Sequence, residues 1–388
     1  MSDIISTIQM HLPALIVAIP LFFAFLLPLI GKKSKSTTLY TTVLVAGLVE
    51  LLALWLTYIV LTDQSIVVYA FGQHGDPRVT IPTASGMVLP IRILFEVDAI
   101  SAMMLMLSAT IALVAAIYSV SFISRYKGVE KYGTLLLLML GSTAGLVMTG
   151  DLFNFFVWFE ILSIASCALV AFRTEMWESG EGAFKYMVIS TVGGLFLLFV
   201  IGIYYAEYGA LNIAAVAHYI TTSGATRMDI IALTLLLGVL AMKAGSVPMH
   251  MWKPDAYTAA PAPITIMLVT AAQASLYGLM RITFTLYGTY MNNYVVGYIV
   301  ALLGTVSIFV GVSMALVQRD IKRLIAYAAV AEIGYMMLAI GVGLADLGTY
   351  GASWDQAGYR ALTGGIFHIF NDALDVGLLF LVAGAIYY

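Results

Sequence analysis

The chain has 388 residues, 62% of them hydrophobic and only 10% charged. Soluble domains carry roughly a quarter charged residues, so a water-soluble globule is excluded. A formal net charge of −3 offers no basic face for nucleic acid, and a single cysteine, Cys167, excludes a disulfide framework and a thiolate metal site. An integral membrane protein with many spans remains.

A helical span needs about 20 predominantly apolar residues. Eleven segments qualify: 12–30, 38–61, 97–124, 132–149, 152–172, 183–205, 229–250, 262–288, 294–317, 322–345 and 361–386. Barrel strands alternate over about ten residues, so runs of this length predict an all-α membrane protein. No Lys or Arg precedes the first span, while Lys32, Lys33 and Lys35 follow it, the charge order of a retained helix entering from outside. Alternating sides from there puts Lys32, Lys33, Lys35, Arg125, Lys127, Lys131, Arg173, Lys253, Arg319, Lys322 and Arg323 in cytoplasmic loops. Only Arg78, Arg92, Arg227 and Arg360 fall outside. This asymmetry predicts a multi-pass protein of a prokaryotic cell (inner) membrane with its N-terminus outside. Residues 62–96 are the one long stretch between spans; Gly72, Gly75, Pro77, Pro82, Gly86 and Pro90 among short β-branched pieces predict an external loop with a hairpin. A glycine-rich nucleotide cradle and tandem repeats of 20–50 residues are both lacking.

The informative residues are the ionisable ones inside the spans. A charge at mid-bilayer costs about 2.5–3.5 kcal/mol even on lenient scales, so such side chains face a protein interior or a water-filled path. Glu160 lies in the middle of the fifth span, within Phe-Phe-Val-Trp-Phe-Glu-Ile-Leu. Lys243 lies inside the seventh, followed by Gly245 and Pro248. Pro248 cannot donate to the carbonyl of Ala244, so the helix is expected to open beside the lysine. A broken helix is tolerated in a membrane where it is buried or lines water, and a desolvated lysine there is suited to exchanging a proton. Lys185 falls in the first turn of the sixth span, where snorkelling to the surface competes with a role in transport. The tenth span carries Glu332 and the eleventh His368, Asp372 and Asp375. His368 and Asp372 are four apart, Asp372 and Asp375 three, which predicts a shared face and a carboxylate pair that stores a proton. His250 and His368 are the histidines within spans; a single such pair is thin support for haem ligation, and zinc fares worse because no carboxylate–histidine cluster has ligand spacing.

Here the sequence resembles a known family. The run Lys243-Ala-Gly-Ser-Val-Pro-Met-His250-Met-Trp-Lys-Pro-Asp-Ala-Tyr, with Ala-Pro-Ala-Pro-Ile at 260–264, is similar to the hallmark of the antiporter-like membrane subunits. That family is shared by respiratory complex I, the Mrp-type Na+/H+ antiporters and the energy-converting membrane-bound hydrogenases. Phe-Glu160-Ile-Leu-Ser, Phe-Lys185-Tyr and Gln-Arg-Asp320-Ile-Lys322-Arg-Leu-Ile-Ala-Tyr match in family order, and the likeness covers roughly residues 96–386. It implies a fold of fourteen helices with two inverted five-helix units, each holding a broken helix and a buried ionisable residue. Spans 4–8 make one unit, and because five is odd, a second copy beginning at span 9 enters from the opposite side. The expected organisation is therefore residues 1–130 with three helices and the 62–96 loop, 131–290 as the first unit with the break at Lys243–Pro248, and 291–388 as an incomplete second unit. The resemblance also implies that Glu160 and Lys243 act as one proton-transfer pair.

Three departures stand out. Gln273 replaces the lysine or histidine that many relatives have in the eighth span, and Asp372 and Val376 stand where relatives often show His and Lys. The chain also reaches Tyr388 before a second broken helix. The expected function is translocation of protons, sodium or both, by a subunit of a redox-driven complex such as a membrane-bound hydrogenase or a complex I-like enzyme. An Mrp-type antiporter subunit and a non-conducting membrane scaffold are the alternatives. The path residues are Glu160, Lys185, Lys243, His250, Glu332, His368, Asp372 and Asp375, and the chain is expected to have no catalytic centre, cofactor or metal of its own. Iron–sulfur or metal centres are expected in partner subunits if the complex is redox-driven. The expected partners are other membrane subunits, a peripheral redox module in that case, the ions and lipid, with no nucleic acid.

Overall fold

The computed structural model describes residues 2–31, 34–71, 93–288, 293–350 and 356–387. Most of the 62–96 loop, with Arg78 and Arg92, and also Lys32 and Lys33, lie outside the described residues. Eleven helical segments among the described residues are long and apolar enough to cross a membrane: Leu12–Gly31, Lys35–Asp63, Ala99–Phe122, Val129–Met148, Leu152–Val170, Trp177–Tyr208, Arg227–Ala259, Ala262–Tyr287, Tyr294–Leu316, Ile321–Leu347 and Ala357–Ile386. They follow the expected order. The chain is an all-α multi-pass membrane protein.

In chain order the elements are α1 (Ser2–Met10), α2 (Leu12–Gly31), α3 (Lys35–Asp63), β1 (Val67–Ala70), β2 (Leu94–Val97), α4 (Ala99–Phe122), α5 (Val129–Met148), α6 (Leu152–Val170), α7 (Trp177–Tyr208), α8 (Ile213–Ser223), α9 (Arg227–Ala244), α10 (Trp252–Ala259), α11 (Ala262–Ile282), α12 (Asn293–Leu316), α13 (Ile321–Tyr350) and α14 (Gln356–Ile386). The β1 and β2 strands pair antiparallel, Val67 opposite Val97. The chain divides into two compact units: residues 1–166 with 204–216, and residues 167–203 with 217–388.

In the first unit, the entry to α6 is tied down by backbone bonds from Leu152 N–H to the Leu211 carbonyl and from Ile213 N–H to the Gly150 carbonyl, both 2.9 Å. Asp151 caps α6, its Oδ1 accepting the Asn154 N–H at 2.8 Å. Burial pushes the Asp151 carboxyl up to about 6, against the lowering pull of the Asn154 and Phe153 amides. Further along α6 the indole of Trp158 lies over Gly145 of α5, where a Cβ would come within 2.4 Å of the ring. Glu160 sits half-buried on the turn after it.

In the second unit, α11 is buried along its whole length from Ala262 to Met280, as expected of a helix apolar on all sides. α12 and α13 meet backbone to backbone. A Cβ on Gly304 would lie 2.5 Å from the Leu338 nitrogen, and one on Gly341 would lie 2.3 Å from the Ala301 nitrogen. Gly297, Gly304 and Gly311 recur every seven residues on α12, and Gly334 and Gly341 do so on α13. Lipid supplies no hydrophobic drive between helices, so small residues that admit close van der Waals packing hold such a pair together.

Candidate functional site: a buried polar line beside a helix break

The break beside Lys243 is made by Gly245. The last turn of α9 closes with Gly245 at φ +84, its N–H bonding the Ala241 and Met242 carbonyls at 3.1 Å, while Ser246 N–H reaches Ala241 at 3.0 Å. This is a Schellman-type end, which needs a residue able to adopt a left-handed conformation. Pro248 lies three residues further on, so it keeps the helix from resuming rather than ending it. The other polar groups of the interruption are also satisfied, as buried backbone requires. Val247 N–H donates to Ser307 Oγ at 2.9 Å, and Trp252 Nε1–H donates to the Met242 carbonyl at 3.1 Å. The chain then passes through a 3-10 turn, Met249–Met251, into α10.

Lys243, 2% exposed, donates from Nζ to Ser190 Oγ at 2.9 Å. Its ammonium also lies 4.5 Å from the ring centre of Tyr186, a contact worth about 2 kcal/mol when desolvated. Tyr186 stacks on Trp252 at 4.2 Å, so the ring holding the lysine is backed by the first residue after the break. Ser190 and Tyr186 were absent from the expected site. Their signal was present, because they lie four apart on one face of α7 and Tyr186 closes the Phe-Lys185-Tyr motif.

The second cluster joins α11 and α14. Gln273, with 0% exposure, and Asp372, with 3%, meet through Gln273 Nε2–H donating to Asp372 Oδ2 at 2.6 Å. Gln273 is therefore tied to the acidic side chain of α14. The expected Asp372–Asp375 pair does not form: Asp375 is exposed, Asp372 is turned into α11, and no hydrogen bond connects them. Residues three apart on a helix are offset by about 60° around its axis, so a helix face whose edge runs between them leaves Asp372 buried and Asp375 exposed. His368 likewise pairs across helices, its Nε2 lying 2.7 Å from Glu332 Oε2 of α13, with Tyr335 edge-on to the imidazole at 5.9 Å.

Lys185 is in the third turn of α7, since that helix starts at Trp177. It bridges Glu181 and Asp255, each at 2.6 Å, with its side chain 43% exposed, and Arg323 reaches Asp255 at 3.1 Å. This is a charge network at the edge of the unit, apart from the buried line. His250 is buried in the 3-10 turn. Two lysines read as loop residues are in fact enclosed. Lys253 is 2% exposed and Lys322 is 8% exposed, the latter donating to the Thr258 and Ala260 carbonyls at the end of α10. Flanking Pro254, Asp255, Asp320 and Arg319 give both stretches the polarity of a loop, and only tertiary packing reveals the burial.

Residues 149–386, more than half of the chain, match the family model described as NADH:quinone oxidoreductase/Mrp antiporter, TM. The chain belongs to that family. The antiporter-like relatives include NADH-quinone oxidoreductase subunit N of Desulforudis audaxviator, 31% identical over 97% of this chain and 70% of the relative. Hydrogenase-4 component B of Escherichia coli is 29% identical over 75% of this chain, which spans 43% of that protein's length. Among solved structures, a chain of the archaeal membrane-bound sulfane sulfur reductase superposes with a TM-score of 0.84 at 27% identity, covering 97% of this chain and 71% of the other. The fold is that of an antiporter-like membrane subunit.

Proposed function

We propose that this chain translocates ions as one subunit of a multi-subunit complex in a prokaryotic cell membrane, with its N-terminus outside. The observation that carries the reading is the set of polar pairs in the second unit, two of them enclosed and the third half-buried. Lys243 rests on Ser190 and Tyr186 at a helix end, Gln273 is bonded to Asp372, and His368 is bonded to Glu332. Polar groups held this deep in a membrane are costly unless they serve a path. Protons would pass from Lys243 by water to the Gln273–Asp372 pair and on to Glu332 and His368. Glu160, by the family resemblance, would set the proton affinity of Lys243. His250 at the break would line the path, whereas Lys185 and Asp375 would stay peripheral.

Relatives named for NADH–quinone oxidoreduction and for a hydrogenase favour a redox-driven complex, in which other membrane subunits and a peripheral module hold the metal centres. An Mrp-type exchanger using sodium is the second reading. Gln273 Oε1 and Asp372 Oδ1, both buried and without a hydrogen-bond donor among the described residues, favour it as oxygens suited to a hard cation. The test is purification of the native complex, identification of its subunits by mass spectrometry, and proton and sodium transport in liposomes with wild-type chain and with Lys243→Ala. Loss of transport with assembly intact is expected. Full transport by Lys243→Ala would refute the reading in favour of a membrane scaffold.

A further inference from the structure

Lys253 is held in an unusual way. Its Nζ donates to the Ala244 carbonyl at 3.3 Å and the Ala329 carbonyl at 3.0 Å. The first belongs to the last residue of α9, next to Lys243, beyond which the chain leaves the helix at Gly245; the second lies one turn before Glu332 on α13. The stem of Lys253 fills the space above Gly245, where a Cβ would come within 2.7 Å of its Cδ. The ring centre of Tyr257 is 5.4 Å from the Nζ. No carboxylate lies within ion-pair distance among the described residues, and the acidic groups that act on it through space are Asp372 and Glu332. The nitrogen thus stands between the helix end that carries Lys243 and the helices that carry the acidic pairs.

We propose that Lys253 is a proton relay between Lys243 and the Asp372 and Glu332 carboxylates, an inference that rests on the ion-translocating function above. An ammonium has three N–H donors, and this one has two carbonyl acceptors among the described residues. The neutral amine has two N–H groups, so the same cradle satisfies it completely, and the third proton is the one free to leave. In the step, one N–H bond of Lys253 breaks with its electron pair remaining on nitrogen. Water carries the proton to Asp372 Oδ1, the carboxylate oxygen without a donor among the described residues, where an O–H bond forms. Total charge is unchanged, and a proton delivered from Lys243 restores the ammonium. A fixed cap for Ala244 would need only a permanent charge, which arginine supplies, whereas a relay needs a nitrogen that can lose its proton.

The experiment compares Lys253→Met, Lys253→Arg, Lys253→His and Lys243→Ala in the whole reconstituted complex, scoring assembly and proton uptake from pH 5.5 to 9. These pH limits are about the range over which histidine and desolvated lysine exchange protons. Lys253→Met and Lys253→Arg are each expected to assemble and to lose transport by about tenfold or more, on the scale of a lost proton-transfer group. Lys253→His is expected to recover transport with its pH profile moved toward acid. Wild-type rates in Lys253→Met or Lys253→Arg would overturn the relay, as would failure of both Lys253→Met and Lys253→His to assemble, which assigns the lysine to holding the break together. Wild-type transport in Lys243→Ala would instead remove the ion-translocating function on which the relay depends.

Discussion

Replacing Gln273 by leucine tests whether the bond to Asp372 organises the core of the second unit. Gln273 is wholly enclosed, Asp372 nearly so, and the one donor that Gln273 supplies sits 2.6 Å from Oδ2. Asp372 Oδ1 has no other donor among the described residues, so the substitution takes away the protein donor at Oδ2 and leaves the carboxyl group without the amide. A hydrogen bond to a charged group contributes about 1.5–3 kcal/mol net, and an abandoned buried partner costs at least as much. Gln273→Leu should therefore destabilise by about 2–3 kcal/mol, while Gln273→Leu/Asp372→Leu together should cost clearly less than the two single changes added. Unfolding free energies in mixed micelles titrated with sodium dodecyl sulfate, arranged as a double-mutant cycle, read the coupling directly. A coupling below about 0.5 kcal/mol would refute the reasoning, because independent sites add to within that margin. The same single variant, reconstituted, should slow transport.

Asp151 gives a pH dependence with a definite sign. Its carboxyl is raised from 3.8 to about 6 by burial, so the folded chain binds the extra proton between those values. The resulting stability is complete below 3.8 and is lost as pH rises through 6, by up to about 3 kcal/mol. Asp151→Asn keeps the α6 cap and should flatten that part of the thermal-stability profile in detergent; an unchanged slope would contradict the assignment. Gly304→Ala brings a methyl against the backbone of α13 and should cost about 1–3 kcal/mol. By contrast Gly238→Ala, with nothing within 4 Å, should be neutral or slightly stabilising in the same micelle titration. Glu160→Gln should leave the complex assembled yet lower proton transport by on the order of 10²-fold; transport at the wild-type rate would separate Glu160 from the path.

The eleven spans were legible because apolar length is a one-dimensional signal that survives without any knowledge of neighbours. The short helix α8 was not, since its eleven residues fall below span length and its polar His218, Thr221 and Thr222 read as loop. The opening beside Lys243 was also legible, although the residue that ends the helix is the glycine rather than the proline. What the pattern of one segment could not carry was partner choice. Spacing of three and four along α14 suggested that His368, Asp372 and Asp375 answer to each other. Their actual partners lie 36 residues away for His368 and 99 for Asp372, and Asp375 points out. The same blindness hid Lys253, whose polar neighbours in sequence gave no sign of the carbonyls that enclose it.

The cradle of Lys253 also bears on biogenesis. A chain entering a membrane emerges from its N-terminal side, and the second carbonyl that this ammonium needs belongs to Ala329, 76 residues later. Lys322, which closes the far end of α10 through the Thr258 and Ala260 carbonyls, arrives with that same late helix. Until α13 is in place, Lys253 has only the Ala244 carbonyl and the end of α10 lacks its lysine cap, and an incompletely paired ammonium does not belong in hydrocarbon. The native bonds of the interrupted segment are therefore complete only once the tenth span supplies its acceptor and its lysine.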